Sequence, residues 1–154
     1  MENRFGVLAR ISGLFSGRGY NIESLSVAPT IDVTSSRMTI VTRGDDAVIE
    51  QITKQLNKLI DVIKVIDFTS EDYIEREIVM VKVNSEPTNR AEILRMAEIF
   101  RGKVVDVSSK TYTIEVTGAE GKVSAFIEMI KPLGIIELAR SGKIAMSRGR
   151  RTLG

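Results

Sequence analysis

A chain of 154 residues with 43% hydrophobic side chains can bury a core in one medium domain or two small ones. Its 22 basic and 20 acidic residues nearly balance, and a net charge of +2 gives no electrostatic argument for nucleic acid or an anionic membrane. Cysteine and histidine are both absent, which excludes disulfides and thiolate chemistry, removes the commonest general base and metal ligand, and disfavours a hydrolase or a zinc protein.

The first element is an amphipathic helix. Val7, Leu8, Ile11, Leu14 and Phe15 recur at the spacing of one helical face, with Arg10, Ser12 and Arg18 off it. Residues 17–19 (GRG) should stop it, because glycine reaches the left-handed conformation without a Cβ penalty. Residues 20–27 then alternate like a strand, with Ile22, Leu25 and Val27 apolar, until Pro29 ends the ladder. Residues 31–36 read as a small, polar, mobile loop, and residues 37–43 (RMTIVTR) as the returning strand of a hairpin. Asp45 and Asp46 can cap a second helix whose buried stripe is Val48, Ile52, Leu56 and Leu59. Residues 60–68 (IDVIKVIDF) predict another strand. The charge-dense stretch that follows places a linker at 70–76, between a first domain of residues 1–69 and a second of 77–154.

The second half opens on a β-branched run, 78–83, followed by turn and N-cap chemistry at Glu86, Pro87, Thr88 and Asn89. A helix with Ile93, Met96, Ala97 and Phe100 inside should stop at Gly102, before a strand pair at 103–107 and 111–116. Residues 120–131 carry Val123, Phe126, Ile127 and Ile130 at helical spacing, and Pro132 and Gly134 precede a last strand at 135–139. This half therefore reads β-α-β-β-α-β. The first half reads α-β-β-α-β, the same order without the opening strand. Residues 1–4 are too few for a usual strand of about 5 to 6 residues. In a split β-α-β fold that strand is central, so the gap points to N-terminal truncation, a start assigned too late, or a segment from another chain filling it. The expected class is α+β: two ferredoxin-like domains, the first apparently lacking its first strand.

The repeat makes a resemblance legible. GLFSGRGYNIESLSVAPT (13–30), SRMTIVT (36–42), IEREI (74–78), EIFRGKVVDV (98–107) and ELARSGKIAMSRG (137–149) resemble, in order and along nearly the whole chain, the small regulatory subunits of acetohydroxyacid synthase (acetolactate synthase). The resemblance implies an N-terminal ACT domain that dimerises and binds an amino acid at the interface. It also implies activation of a separate catalytic subunit and feedback inhibition by valine, sometimes with leucine or isoleucine. Thiamine diphosphate, Mg²⁺ and FAD would belong to that catalytic subunit, with no cofactor on this chain, which has no G-x-G-x-x-G after a strand and no P-loop.

A free amino acid needs N–H donors for its carboxylate, oxygen acceptors for its ammonium and a small apolar pocket. Exposed N–H groups at Phe5, Gly6, Val7 and Leu8 would form a helix N-terminus, Gly6 would allow close approach, and Asn3 and Asn21 carry amides that both donate and accept. Taken singly, these are a helix cap, a turn glycine and a residue tolerated after a glycine-rich exit. By resemblance, the valine site uses residues 3–8 of one subunit and Asn21 with Ile22 of its mate. Arg4 and Phe5 are bulkier than the small or proline residue the family pattern leads one to expect there.

Two rivals are weaker. An RNA-binding ferredoxin-like module would stack bases on strand aromatics, yet aromatics are 5%, Tyr112 and Phe68 are the ones placed well within expected strands, and no RNP-like cluster appears. An enzyme would have to rely on Glu23, Asp32, Glu115 and Glu137, whose spacing suggests no pairing. No apolar run approaches the roughly 18 residues that span a bilayer, and no signal-sequence pattern opens the chain, so a cytoplasmic location is expected.

Overall fold

The computed structural model describes residues 1–3, 6–69 and 71–151. Two compact units emerge: Met1–Ile74 together with the stretch from Lys143 onward, and Glu75–Gly142.

In the first unit, α1 (Val7–Gly17) buries Val7, Ile11 and Phe15, one residue per turn. The expected partner Leu14 is half-buried, but Leu8 is 39% exposed, because the stripe is narrower than the periodicity suggested. The helix ends in a Schellman motif: Tyr20 N–H donates to Phe15 C=O, Gly19 N–H to Ser16 C=O, and Gly19 sits at φ +72°. The Tyr20 ring meets Phe15 edge-on at 6.1 Å, the apolar contact that accompanies this motif. Strands β1 (Ile22–Pro29) and β2 (Ser36–Thr42) pair antiparallel, from Ile22 opposite Thr42 to Pro29 opposite Ser36. Helix α2 (Asp46–Asn57) is capped by the Asp45 carboxylate, which accepts from Val48 N–H at 2.9 Å. Its Ile52 and Leu56 close the core over α1, with Ile22, Met38 and Ile40 of the hairpin.

The strand expected at 60–68 does not form; Val62 and Val65 pack on the core, but the backbone joins no ladder. The alternation reports which side chains face inward, whereas a strand also needs a neighbour along its length. Among the described residues, the contacts on that side come from residues 1–3. Glu2 bridges Ser35 in antiparallel sense, Met1 and Ser36 exchange N–H···O=C bonds of 2.8 Å, and Glu2 N–H donates to Asp61 C=O at 2.8 Å. Residues 1–3 thus stand where the opening strand of the repeat belongs, touching a flank on either side.

In the second unit, β3 (Tyr73–Asn84) begins inside the stretch read as a linker, so residues 73–76 are strand. With α3 (Arg90–Ile99), β4 (Lys103–Val107), β5 (Thr111–Gly118), α4 (Glu120–Ile130) and β6 (Ile135–Arg140) it completes β-α-β-β-α-β, in the antiparallel order β4-β5-β3-β6. Val79, Val81 and Val83 of β3 and Ile114 and Val116 of β5 face Ile93, Met96, Val123, Phe126 and Ile130 of the two helices. Asn89 serves the turn rather than the helix, its Oδ1 accepting from Glu86 N–H at 2.8 Å. A short strand, β7 (Ile144–Ser147), not expected from sequence, lies in the stretch from Lys143 onward that belongs to the first unit.

The stop of α3 lies one residue earlier than expected. Arg101, at φ +52°, takes the left-handed position, while Gly102 N–H donates to Ala97 C=O at 2.7 Å. Gly102 is required for space: a Cβ there would lie 2.8 Å from the Glu115 carbonyl oxygen of β5. Arg101→Gly should therefore raise unfolding free energy by about 1 kcal/mol, and Gly102→Ala should lower it, in urea denaturation followed by circular dichroism. A neutral Gly102→Ala would show that the close approach is not limiting.

Candidate effector site at the start of the first helix

Helix α1 has no conventional cap. Its N-cap is Gly6, at φ +85° and ψ −7°, with no side-chain bond to the first turn, and a Cβ at Gly6 would meet nothing within 4 Å. An α-helix leaves its first N–H groups without intrahelical acceptors, so Val7 and Leu8 N–H, beside this open space, are suited to an anionic oxygen. The Val7 side chain is core, so backbone alone is its contribution, whereas exposed Leu8 offers apolar surface as well. Arg4 and Phe5, the other members of the expected loop, lie outside the described residues.

Asn3 is fixed by the hairpin end: its N–H donates to Thr34 C=O at 2.7 Å and its Nδ2 to Val33 C=O at 2.8 Å. Local hydrogen bonds shape that loop. Asp32 Oδ1 accepts from Thr34 N–H at 3.0 Å and from the Thr34 hydroxyl at 2.7 Å, and Thr30 N–H donates to Ser35 C=O at 2.9 Å. The Thr34 hydroxyl, then its N–H, holds the Asp32 carboxyl below the ordinary carboxylate range. These bonds stabilise the loop above the ordinary carboxylate pKa and are lost as pH falls through the lowered one. Burial pushes the Met1 ammonium down, partly offset by Glu2.

Asn21 and Ile22 stand at the other end of α1. Asn21 is exposed and its carbonyl accepts from the Thr42 hydroxyl, while Ile22 opens β1 half-buried against the core. An 11-residue helix is about 16 Å long, so one chain does not bring Asn3 and Gly6 together with Asn21.

Sequence reasoning missed the ion pair beneath the site. Arg10 Nη1 lies 2.5 Å from Asp61 Oδ2, and Asp61 is buried while its own carbonyl holds Glu2. The partners are 51 positions apart, so no local pattern links them. A cleft along α2 is lined by Asp45, Glu50, Gln51 and Lys54, but Asp45 is spent as a cap, Glu50 pairs with Lys54, and Gln51 accepts from Tyr20. Among the described residues no cluster of three or more Asp or Glu could hold a metal, and no helix is long and apolar enough to cross a membrane. Tyr112 is partly buried against the core.

Residues 1–64 match the family model described as "AHAS small subunit-like ACT domain", and residues 76–149 the one described as "Small subunit of acetolactate synthase". The chain is 58% identical over 150 residues to the acetolactate synthase small subunit of Aquifex aeolicus, covering 96% of this chain and 78% of that one. It is 51% identical over 150 residues to the acetolactate synthase isozyme 3 small subunit of Escherichia coli, covering 97% and 92%. The crystal structure of the acetolactate synthase small subunit from Thermotoga maritima matches with a TM-score of 0.88 at 41% identity, covering 97% of this chain and 94% of that one.

Arg10→Ala should cost about 1–2 kcal/mol in denaturant unfolding, because it strands a buried carboxylate, with the loss moderated by the 60% exposure of the Arg10 side chain. An unchanged midpoint would show that water solvates Asp61 adequately alone.

Proposed function

Because this chain belongs to the family of acetolactate synthase small subunits, which are regulatory rather than catalytic, we propose that it senses valine, with leucine and isoleucine as alternatives, for a separate catalytic subunit. In this reading it acts in the cytoplasm as a homodimer through its first unit, raises the activity of its partner, and confers feedback inhibition on branched-chain amino acid synthesis. Thiamine diphosphate, Mg²⁺ and FAD reside on the catalytic subunit. The domain limits that go with it are an effector-binding ACT domain over 1–69 and a ferredoxin-like domain over 77–154, with the connection over 70–76 running into β3 from Tyr73.

The observation that carries the proposal is the start of α1: a helix N-terminus without a side-chain cap, opening on a left-handed glycine with free space above it. The amino-acid carboxylate would sit on Val7 and Leu8 N–H, where donors and dipole favour an anion. The amides of Asn3 and, across the dimer, Asn21 would address the ammonium, and Leu8 with the partner copy's first strand would cover the side chain. The placing of the two halves at opposite ends of α1, a helix about 16 Å long, supports a site shared by two copies. Effector binding would then bias two arrangements of the dimer, only one of which activates.

Calorimetric titration should show binding of valine but not lysine. Gly6→Ala, which forces an alanine into the left-handed region, should weaken binding at least about tenfold. Asn21→Ala should relieve inhibition in the reconstituted enzyme and leave activation standing; joint loss of both would mean damage to the fold or the dimer. A folded parent chain that binds none of the three branched amino acids would end the sensor reading.

A further inference from the structure

The site proposed above draws on two segments of one chain: residues 1–3, with the Asn3 amide, and the first turn of α1, with the Val7 and Leu8 N–H groups. Asp61 touches both. Its backbone carbonyl accepts from Glu2 N–H at 2.8 Å, one position from Asn3. Its carboxylate Oδ2 takes Arg10 Nη1 at 2.5 Å, and Arg10 N–H in turn donates to Gly6 C=O at 3.0 Å, the bond that closes the first turn over the left-handed glycine. Asp61 itself is firmly seated. It lies in the turn after α2, where Leu59 N–H donates to Leu56 C=O and Val62 N–H to Leu59 C=O, each at 3.1 Å, and Leu56, Leu59 and Val62 pack in the core of the first unit. A buried carboxylate is costly to leave without a partner, so Asp61 holds the Arg10 side chain in place although that side chain is largely exposed.

We propose that Asp61 and Arg10 are a positioning pair for the effector site, setting the separation between the amide that meets the ammonium and the N–H groups that meet the carboxylate. The proposal rests on the sensor reading above and concerns residues that do not themselves touch the ligand. An α-amino acid carries both charged groups on one carbon, so it satisfies the two segments together only where their spacing matches its own. Segments already held at that spacing lose less conformational freedom when the ligand arrives, which raises affinity without any added contact. Asp61 acts on both at once, through its carbonyl on residues 1–3 and through its carboxylate on the helix start. The pair therefore matters for a ligand with both charges and little for one that carries the carboxylate alone.

The test is a double-variant cycle in the full chain: Asp61→Asn, Arg10→Ala and both together, each titrated calorimetrically with valine below its own unfolding transition. Asp61→Asn keeps the size and the main-chain carbonyl, and water reaches the Arg10 head, so circular dichroism should show a folded chain. Either single variant should weaken valine binding about fivefold or more. The double variant should lose no more than the weaker-binding single, because the two side chains act as one unit. Isovalerate, which has the carboxylate and side chain of valine but no ammonium, should bind parent and variants alike when followed by NMR shifts. Valine affinity equal to the parent in both singles, or single losses that multiply in the double variant, overturns the pair. Equal losses for valine and isovalerate overturn the positioning role in favour of general loosening of the unit. Should Asp61→Asn fail to fold, Arg10→Ala with the two ligands decides alone. A parent chain that binds no branched amino acid ends the sensor reading itself, an outcome distinct from a parent that binds and variants that match it.

Discussion

The hydrogen bonds that hold residues 1–3 between residues 33–36 and Asp61 are the constraint on which the first unit depends. A two-stranded hairpin is marginal in water, and among the described residues β1–β2 has no third strand beside it for most of its length. The short N-terminal segment supplies the nearest substitute. It ties Ser36 through Met1, the tip carbonyls through Asn3 and the post-helix turn through Glu2. Asp61 passes the constraint on, because its carbonyl takes the Glu2 N–H while its buried carboxylate takes Arg10 of α1. The position of the helix start, and of the donors exposed there, is thus fixed from both sides.

The second unit is built on the opposite principle. Its central strand β3 is paired on both sides, through β5 over eight registered positions and through β6 over five, and its inward valines are completely buried. Glu77, the buried charge on that strand, is met by Arg140 through Nε at 3.0 Å and Nη2 at 2.5 Å. Long ladders and a dry core make cooperative, high-protection structure, whereas few backbone bonds and much exposed apolar surface mark segments that open cheaply. A regulatory subunit needs both kinds. A segment that responded to a ligand would be drawn from the weakly held end of the stability range.

Much of this was legible from residues alone. Both helices of the first unit and both of the second follow from 3.6-residue periodicity, and Asp45 and Gly19 do the capping work their types suggest. The failures have physical causes. Residues 60–68 have a strand's side-chain pattern, but among the described residues no segment runs alongside to make a ladder, and a neighbour is not something the segment's own pattern encodes. Arg101 occupies a left-handed position because Gly102 is committed to the close approach to Glu115, a packing demand invisible to local turn rules. The shape of the hairpin tip turns on a single aspartate bonding two residues onward, a local turn pattern that the sequence reading did not draw out. At the candidate site, residue types pointed to Asn3 and Gly6, and the position of Leu8 on the exposed side of the helix makes it a better candidate than its place in an expected apolar stripe implied. The distance between Gly6 and Asn21 was implicit in an 11-residue helix, yet its meaning emerges only when a second copy is considered.

Energetics show why a second copy has to be considered. A helix N-terminus favours a nearby anion by about 0.3–1 kcal/mol at an exposed site, which is less than one order of magnitude in affinity. Burying a valine side chain adds roughly 1.5–3 kcal/mol, provided that apolar surface closes over it. On this chain the exposed Leu8 supplies one wall, and the Val7 side chain none, since it is already buried in the core. Neither contribution suffices while the site lies open to water, where dipole and hydrogen bonds are both screened. Covering the site with the first strand of a partner copy would exclude water, strengthen the interaction with the carboxylate and supply the missing apolar wall together. Ligand affinity and dimer geometry would then be one quantity, so that whatever tightens the site also shifts the pairing of the two copies.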